Sequence, residues 1–212
     1  MGKVTKRTLK NIDSWLTAQE VYKLIIAKSW PYKTNIPFYQ ARDKALMSID
    51  FVGAFRNHEV LKRLRASNFI EEKSYWILEG GYIGKRSKKT IAKYGSRVTT
   101  REHIFFPKFQ HPLQPFTDLL INYLQFLEDN QILFRFGERR HHQIVYYCTG
   151  KWPHWFRAMS ENWYGHNVWR NNPNELAKFI GVVNPTSVMP YTGFDEESYL
   201  EGLRKSSFHD RK

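Results

Sequence analysis

Residues 41–64 read ARDKALMSIDFVGAFRNHEVLKRL and combine a long apolar helix, a charged turn and a second helical run. Apolar residues recur at positions 45, 46, 49 and 52, which is the period of an α-helix. Arg56 follows at the expected end of that helix. In NHEVLKRL (57–64), Val60, Leu61 and Leu64 share one side, which predicts another helix.

The flanking segments extend this pattern in both directions. Upstream, LTAQEVYKLIIAK (16–28) has Thr17 as N-cap and Glu20 three residues later, a capping box that predicts a first helix. Pro31 and Pro37 are expected to bracket the loop that follows. Downstream, LQPFTDLLINYLQFLEDN (113–130) has the spacing of a long amphipathic helix, and helices are expected for the remainder.

Between these helices, residues 69–107 change character. Three runs, SYWILEGG (74–81), KKTIAKYG (88–95) and SRVTTREHIFFP (96–107), are rich in β-branched and aromatic residues and are broken by glycines. They predict a small three-stranded antiparallel sheet. The expected fold class is therefore α+β, mostly helical, with residues 1–12 as a basic mobile tail and residues 13–212 as one domain.

The charge of the chain indicates a polyanionic partner. Lys and Arg number 33 against 20 Asp and Glu, which gives a net charge of +13 and a pI near 9.8. The cationic residues are clustered, which favours a footprint on nucleic-acid phosphates over an evenly solvated surface. The predicted DNA-backbone contacts are Lys85, Arg86, Lys88, Lys89, Arg97, Arg101, Arg139 and Arg140.

Several other classes of protein and site are disfavoured. No apolar run approaches the ~18 residues of a membrane span, and the N-terminus lacks a signal-peptide pattern, so a cytoplasmic, DNA-associated protein is expected. The single cysteine, Cys148, cannot form an internal disulfide. No Cys/His spacing is typical of a zinc site, so neither a metal nor a cofactor is predicted.

The segment WPHWFRAMSENWY (152–164) brings in candidate chemistry. On a helical wheel, its large apolar residues gather on one side, whereas His154 and Arg157, spaced i and i+3, share the opposite side. An arginine can grip a phosphate through two hydrogen bonds, and an imidazole can move a proton. The alternative is an ordinary amphipathic helix with a polar surface.

These segments together resemble the tyrosine recombinases, also called phage integrases. Arg56 with Glu59 matches the family's first arginine box, and PHWFRAMSENWY matches its HxxR box. LAKFIGVVNPTSVMPY (176–191) is similar to the closing segment, in which the nucleophilic tyrosine lies ten residues after a glycine; here these are Tyr191 and Gly181. Without the boxes upstream, Tyr191 would more simply be a packed aromatic residue.

The resemblance implies a catalytic domain whose active site consists of Arg56, Lys93, His154, Arg157 and Tyr191. The family uses a hairpin lysine, for which Lys93 is the first choice and Lys88 and Lys89 are alternatives. Glu59 is expected to support the site by orienting Arg56 or a neighbouring histidine. The implied activity is site-specific DNA cleavage and rejoining through a 3′-phosphotyrosyl bond, without metal or ATP.

Two departures and two rivals accompany this interpretation. Val182 stands where the family usually has a His or Trp phosphate donor, which leaves His166, Trp169 and Asn184 as possible substitutes. Pro190 directly precedes Tyr191 and removes an amide donor. The rival functions are DNA relaxation like that of a type IB topoisomerase, and DNA binding without catalysis.

The resemblance also bears on domains and assembly. It begins near Leu16, so the chain is expected to be either an excised catalytic domain or an unusually short recombinase. A helix at about 195–206 is predicted to pack on a neighbouring subunit or on its own core. The expected partner is double-stranded DNA, bound by a dimer or tetramer, with a monomer as the alternative state of the free protein.

Overall fold

The computed structural model describes residues 15–57, 59, 61, 64–81, 101–169 and 172–182. Within these ranges the chain is mixed α+β and mostly helical, which confirms the predicted class. The helices are α1 (Ala18–Ile26), α2 (Ile36–Val52), α3 (Gln114–Leu124), α4 (Glu138–Thr149), α5 (Pro153–Asn167) and α6 (Pro173–Ile180). The strands are β1 (Phe69–Glu71), β2 (Tyr75–Gly81) and β3 (Arg101–Pro107).

Helix α1 begins at the predicted capping box. The Glu20 backbone N–H donates to Thr17 Oγ1 over 3.2 Å, and the Thr17 backbone N–H donates to Glu20 Oε2 over 2.7 Å. Two otherwise unpaired donors of the first turn are thereby satisfied. Ala18, Val21 and Ile25 form the buried face of the helix, which packs on α2 and α4.

Helix α2 is the central element of the core. Every residue from 45 to 52 is buried, and the helix contacts α1, α3, α4 and α5. It begins at Ile36, so Pro37 lies in its first turn, where a proline needs no amide donor. The predicted loop from Pro31 to Pro37 therefore ends earlier than expected.

A tight turn follows α2 and sets the direction of the chain at residues 55–57. Ala54 has a φ of 47°, in the left-handed region, and a Cβ at Gly53 would collide with the Phe55 ring. After this turn, Asn57, Glu59 and Leu61 are helical, as the pattern in residues 57–64 predicted. The turn places Arg56 directly beside the end of the buried helix.

The sheet has the order β1-β2-β3 and is antiparallel throughout. Leu78 of β2 pairs with Phe69 on one side and with Ile104 on the other, and all three are buried. The predicted runs 74–81 and 96–107 thus contain real strands. The remaining described strand is Phe69–Glu71, and KKTIAKYG (88–95) lies outside the described residues.

The C-terminal helices enclose the core around α2. Helix α3 ends at Leu124, inside the predicted segment 113–130, and packs on α2 and β3. Helix α5 lies against α2, α4 and α6. The predicted tail 1–12 and the predicted helix near 195–206 fall outside the described residues. Of the helices described, none is long and apolar enough to cross a membrane.

Candidate active site

Two arginines that are distant in sequence approach one buried glutamate. Arg56 lies in the turn after α2, Glu59 lies one helical turn later, and Arg157 projects from α5. Arg56 Nη1 is 2.8 Å from Glu59 Oε1, and Arg157 Nη1 is 3.9 Å from Glu59 Oε2. Glu59 therefore connects the two predicted arginine boxes in space.

Glu59 fixes both the backbone and the side chain of Arg56. The Arg56 backbone N–H donates to Glu59 Oε2 over 2.7 Å, while the guanidinium binds the other carboxylate oxygen. The Glu59 side chain is fully buried, whereas that of Arg56 is 36% exposed. Part of the Arg56 guanidinium thus remains exposed to solvent, while the buried Glu59 fixes its position.

Arg157 occupies a different environment from the one the helical wheel predicted. The wheel placed it with His154 on a polar side, yet Arg157 is only 3% exposed and His154 is exposed. Its long side chain donates to the carbonyl oxygens of Ala54 and Ile180 and pairs through Nε with Glu161 Oε1 at 2.7 Å. A wheel of one helix cannot show these acceptors, because they belong partly to other segments.

The four charged groups, Arg56, Glu59, Arg157 and Glu161, balance in formal charge. Burial lowers the pKa of the Arg157 guanidinium, and the nearby Arg56 lowers it further, whereas Glu161 and Glu59 act in the opposite direction. An arginine nevertheless stays protonated at any ordinary pH. The cluster therefore offers fixed positive donors in a partly dry setting, already held by two carboxylates.

His154 lies in the first turn of α5, one turn before Arg157. Residues three apart on a helix are neighbours on its surface, with Cβ atoms about 5–6 Å apart. The imidazole is exposed to solvent, whereas the Arg157 head is buried. His154 is therefore accessible to a ligand that reaches this end of the helix.

The predicted DNA-backbone contacts, Lys93 and Tyr191 are only partly covered by the described residues. Arg139 is exposed on α4, but Arg140 lies with its guanidinium carbon 4.0 Å from the centroid of the Trp30 ring. Arg140 is thus engaged in a cation–π contact with its own chain. Arg101 begins β3. Outside the described residues lie Lys85, Arg86, Lys88, Lys89, Lys93, Arg97 and Tyr191.

The position of Val182 leaves the extra phosphate donor unassigned. Its backbone N–H donates to the Ala177 carbonyl over 2.9 Å, which closes α6. Trp169 packs against the rings of Tyr164 and Phe179, which also contact each other, and His166 lies near the far end of α5, about 13 Å along the axis from Arg157. Asn184 lies outside the described residues.

One buried hydrogen-bonded pair, Asp50 and His141, was not predicted from the sequence. Asp50 of α2 and His141 of α4 are almost completely buried, with Oδ2 and Nε2 2.6 Å apart. Burial raises the pKa of the Asp50 carboxyl, and His141 opposes that rise. A lone acid within the apolar run SIDFV was the available signal, but the sequence could not identify its partner.

The described part of the chain contains no group of three or more His, Cys, Asp or Glu side chains arranged to hold a metal ion. Comparisons with protein-family models, with curated proteins and with solved structures found no significant match to this chain.

Proposed function

We propose that this protein cleaves and rejoins DNA strands through a covalent 3′-phosphotyrosyl intermediate, as a tyrosine recombinase does. The observation that carries the proposal is the approach of Arg56 and Arg157 to the same carboxylate, Glu59. Two arginines at one point, in a chain with a net charge of +13, suit a phosphodiester. His154 on the adjacent turn adds a group that can transfer a proton.

Phosphodiester cleavage requires cationic donors that are in place before charge builds in the transition state. Arg56 can present the exposed edge of its guanidinium to a non-bridging oxygen, because Glu59 holds its inner edge. Arg157 uses one Nε, one Nη1 and one Nη2 hydrogen bond within the protein. A guanidinium has five N–H groups, so two lie outside these contacts, and the 3% exposed Arg157 would have to move toward solvent to present them to the same phosphate.

Tyr191 is proposed as the nucleophile that attacks phosphorus. Its phenolic oxygen forms the P–O bond while the bond to the departing sugar 5′ oxygen breaks, so the phosphodiester energy is retained. His154 would accept the phenol proton, and Lys93 would supply a proton to the leaving oxygen. Rejoining reverses these transfers, and no ATP or metal enters the scheme.

The proposal includes double-stranded DNA as substrate and a dimer or tetramer on DNA. Exposed cations such as Arg139 would contact the backbone without reading sequence, so binding should weaken steeply with salt. Glu59 is a positioning residue in this scheme, since it holds Arg56 and does not touch the reacting atoms.

The test is capture of the covalent intermediate on a suicide DNA substrate. The full chain should form an adduct that survives denaturation, and Tyr191→Phe should abolish it because the attacking oxygen is lost. Tyr75→Phe, at a 37% exposed tyrosine on β2, is the matched control and should keep full activity. An adduct that persists in Tyr191→Phe would overturn the assignment.

A second candidate is DNA binding without catalysis. Two observations favour it: Arg157 is already held by Glu161 and two carbonyl groups, and the Val182 amide is closed onto α6. Salt-sensitive duplex binding by the wild-type chain, with no adduct on any cleavable substrate, would support this candidate over the recombinase proposal.

A further inference from the structure

An open groove of about 640 Å³ lies where the loop after α1 meets the C-terminal end of α4. Three of its lining residues are aromatic, and others belong to the last turn of α4. It is separate from the carboxylate and arginine cluster described above. Its lining residues are Lys28, Trp30, Gln143, Tyr146, Tyr147, Cys148, Thr149 and Gly150.

At the rim of the groove, Tyr146 of its lining stacks on Trp152, a residue outside the lining. Tyr146 is 50% exposed and Trp152 is 54% exposed, although both are large aromatic residues. Their ring centroids are 4.5 Å apart, with 23° between the planes. A stacked pair that remains half in water presents a flat π surface, of the kind that proteins use to bind planar ligands.

The surroundings of this platform are cationic. Lys28 Nζ lies 3.7 Å from the centroid of the Tyr147 ring, and Lys151 Nζ lies 5.4 Å from that of Trp155. None of the residues that line the groove carries a carboxylate. A ligand with planar rings and negative charge therefore complements the groove, whereas a basic ligand would be repelled.

We propose that this groove binds unpaired bases of single-stranded nucleic acid. A base would stack on the Tyr146–Trp152 platform while its phosphates approach Lys28 and Lys151. Paired bases inside a duplex cannot do this, because their faces are covered by their neighbours. This activity goes beyond duplex cleavage and does not need Tyr191.

The location connects the groove with the candidate active site. Trp152 is the N-cap of α5, the helix that carries His154 and Arg157. At 1.5 Å per residue, Trp152 and Arg157 are about 8 Å apart along the helix axis. A strand whose phosphate lies at the arginines could therefore place a neighbouring unpaired base on the platform.

The test measures binding of a labelled oligo(dT) of about 12 nucleotides to the full Tyr191→Phe chain by fluorescence anisotropy. Trp152→Leu and Tyr146→Leu should each weaken binding by about tenfold, since base–aromatic stacking is lost. Trp152→Phe, which keeps a ring, should bind nearly as well as the parent chain. Phe109→Leu, at a 66% exposed ring elsewhere, is the matched control and should change nothing.

Two further probes, an abasic oligomer and a duplex, distinguish base stacking from phosphate contacts. An abasic oligomer of the same length should bind weakly and should be insensitive to Trp152→Leu, because only its phosphates contact the protein. A duplex of the same length should bind equally to the parent chain and to Trp152→Leu. Oligo(dT) binding that is unchanged in both leucine variants, with a normal melting curve, would overturn the proposal.

These readings are independent of strand cleavage. If no covalent adduct forms with the wild-type chain but oligo(dT) binding depends on Trp152, the groove proposal stands and the recombinase proposal fails. If an adduct forms and oligo(dT) binding is unchanged when either ring is replaced, the recombinase proposal stands and the groove proposal fails.

Discussion

The two ends of α2 bury arginine and carboxylate side chains in different ways. Along the N-terminal half is the aromatic cluster, defined as Tyr32, Tyr39, Arg42, Asp43 and Phe136. Beyond the C-terminal end is the carboxylate cluster, defined as Arg56, Glu59, Arg157 and Glu161. Both contain carboxylates with almost no exposed surface.

The difference lies in what covers the guanidinium groups. Arg42 pairs with Asp43 at 2.7 Å and lies within 5 Å of the ring centroids of Tyr39 and Phe136, so its side chain is only 12% exposed. Arg56 has a carboxylate on one edge, contacts no aromatic ring in the part of the chain that the structure describes, and is 36% exposed. Rings cover the faces of Arg42, whereas the carboxylate at Arg56 covers one edge and leaves another for a ligand.

The largest expected effect is at the buried member of the carboxylate cluster. Arg157→Ala should lower the free energy of unfolding by about 3–5 kcal/mol, because Glu161 and Glu59 would lose a buried cationic partner. Chemical denaturation followed by circular dichroism measures the loss. Arg139→Ala, at an exposed site on α4, is the control and should stay within about 0.5 kcal/mol of the parent. If Arg157→Ala lowered the free energy of unfolding by as little as this control does, the buried network would be contradicted.

A matched pair of substitutions then compares the two clusters directly. Arg42→Lys should destabilise the fold by about 1–2 kcal/mol, because an ammonium keeps the charge but loses the planar contact with the rings. Arg56→Lys should cost about 0.5 kcal/mol or less, since that side chain is partly exposed. If Arg42→Lys and Arg56→Lys lowered the denaturation midpoint equally, the two clusters would not differ in how they hold an arginine.

An effect confined to thiol reactivity and alkaline pH concerns Cys148, a buried thiol next to the aromatic cluster. Burial, reinforced by Asp43, raises the pKa of its thiol from 9.0 to about 11. The native thiol should therefore react with a disulfide reagent near pH 8 about 100-fold more slowly than the unfolded thiol, from its lower thiolate fraction alone. Absorbance of the released thiolate measures both rates, and equal rates would show an open cluster.

The raised pKa of the Cys148 thiol also predicts that the folded state loses stability at alkaline pH. The unfolded thiol ionises first, so the stabilising contribution of Cys148 is fully present below pH 9.0 and is lost as the pH rises to about 11. Cys148→Ala should lack this part of the alkaline decline. A decline of the same size in this variant would assign it to other groups.

Local patterns made parts of the fold predictable. The capping box of Thr17 and Glu20 acts within one turn, so its partners can be identified in the sequence, and the structure confirms it. The period of residues 45–52 predicted α2, but that segment is buried on all sides. Strand β1 was missed because three residues, FIE, are too few to show an alternating pattern.

The candidate site was less predictable than the fold. The i, i+3 spacing placed His154 and Arg157 on one side of a helix, but the structure buries only the arginine. Its acceptors are carbonyl groups and carboxylates from three parts of the chain, which the pattern of one helix cannot contain. The same limit hid the contact between Asp50 and His141.

The sequence by itself determined the helices, two of the three described strands, the basic charge and the order of the candidate residues, because periodicity, caps and composition act locally. Only the tertiary structure decided which charges are buried and with whom. A buried charge needs a partner that also leaves water, and that partner comes from whichever element the core brings near. Glu59 therefore lies between two arginines, and Asp50 lies against His141.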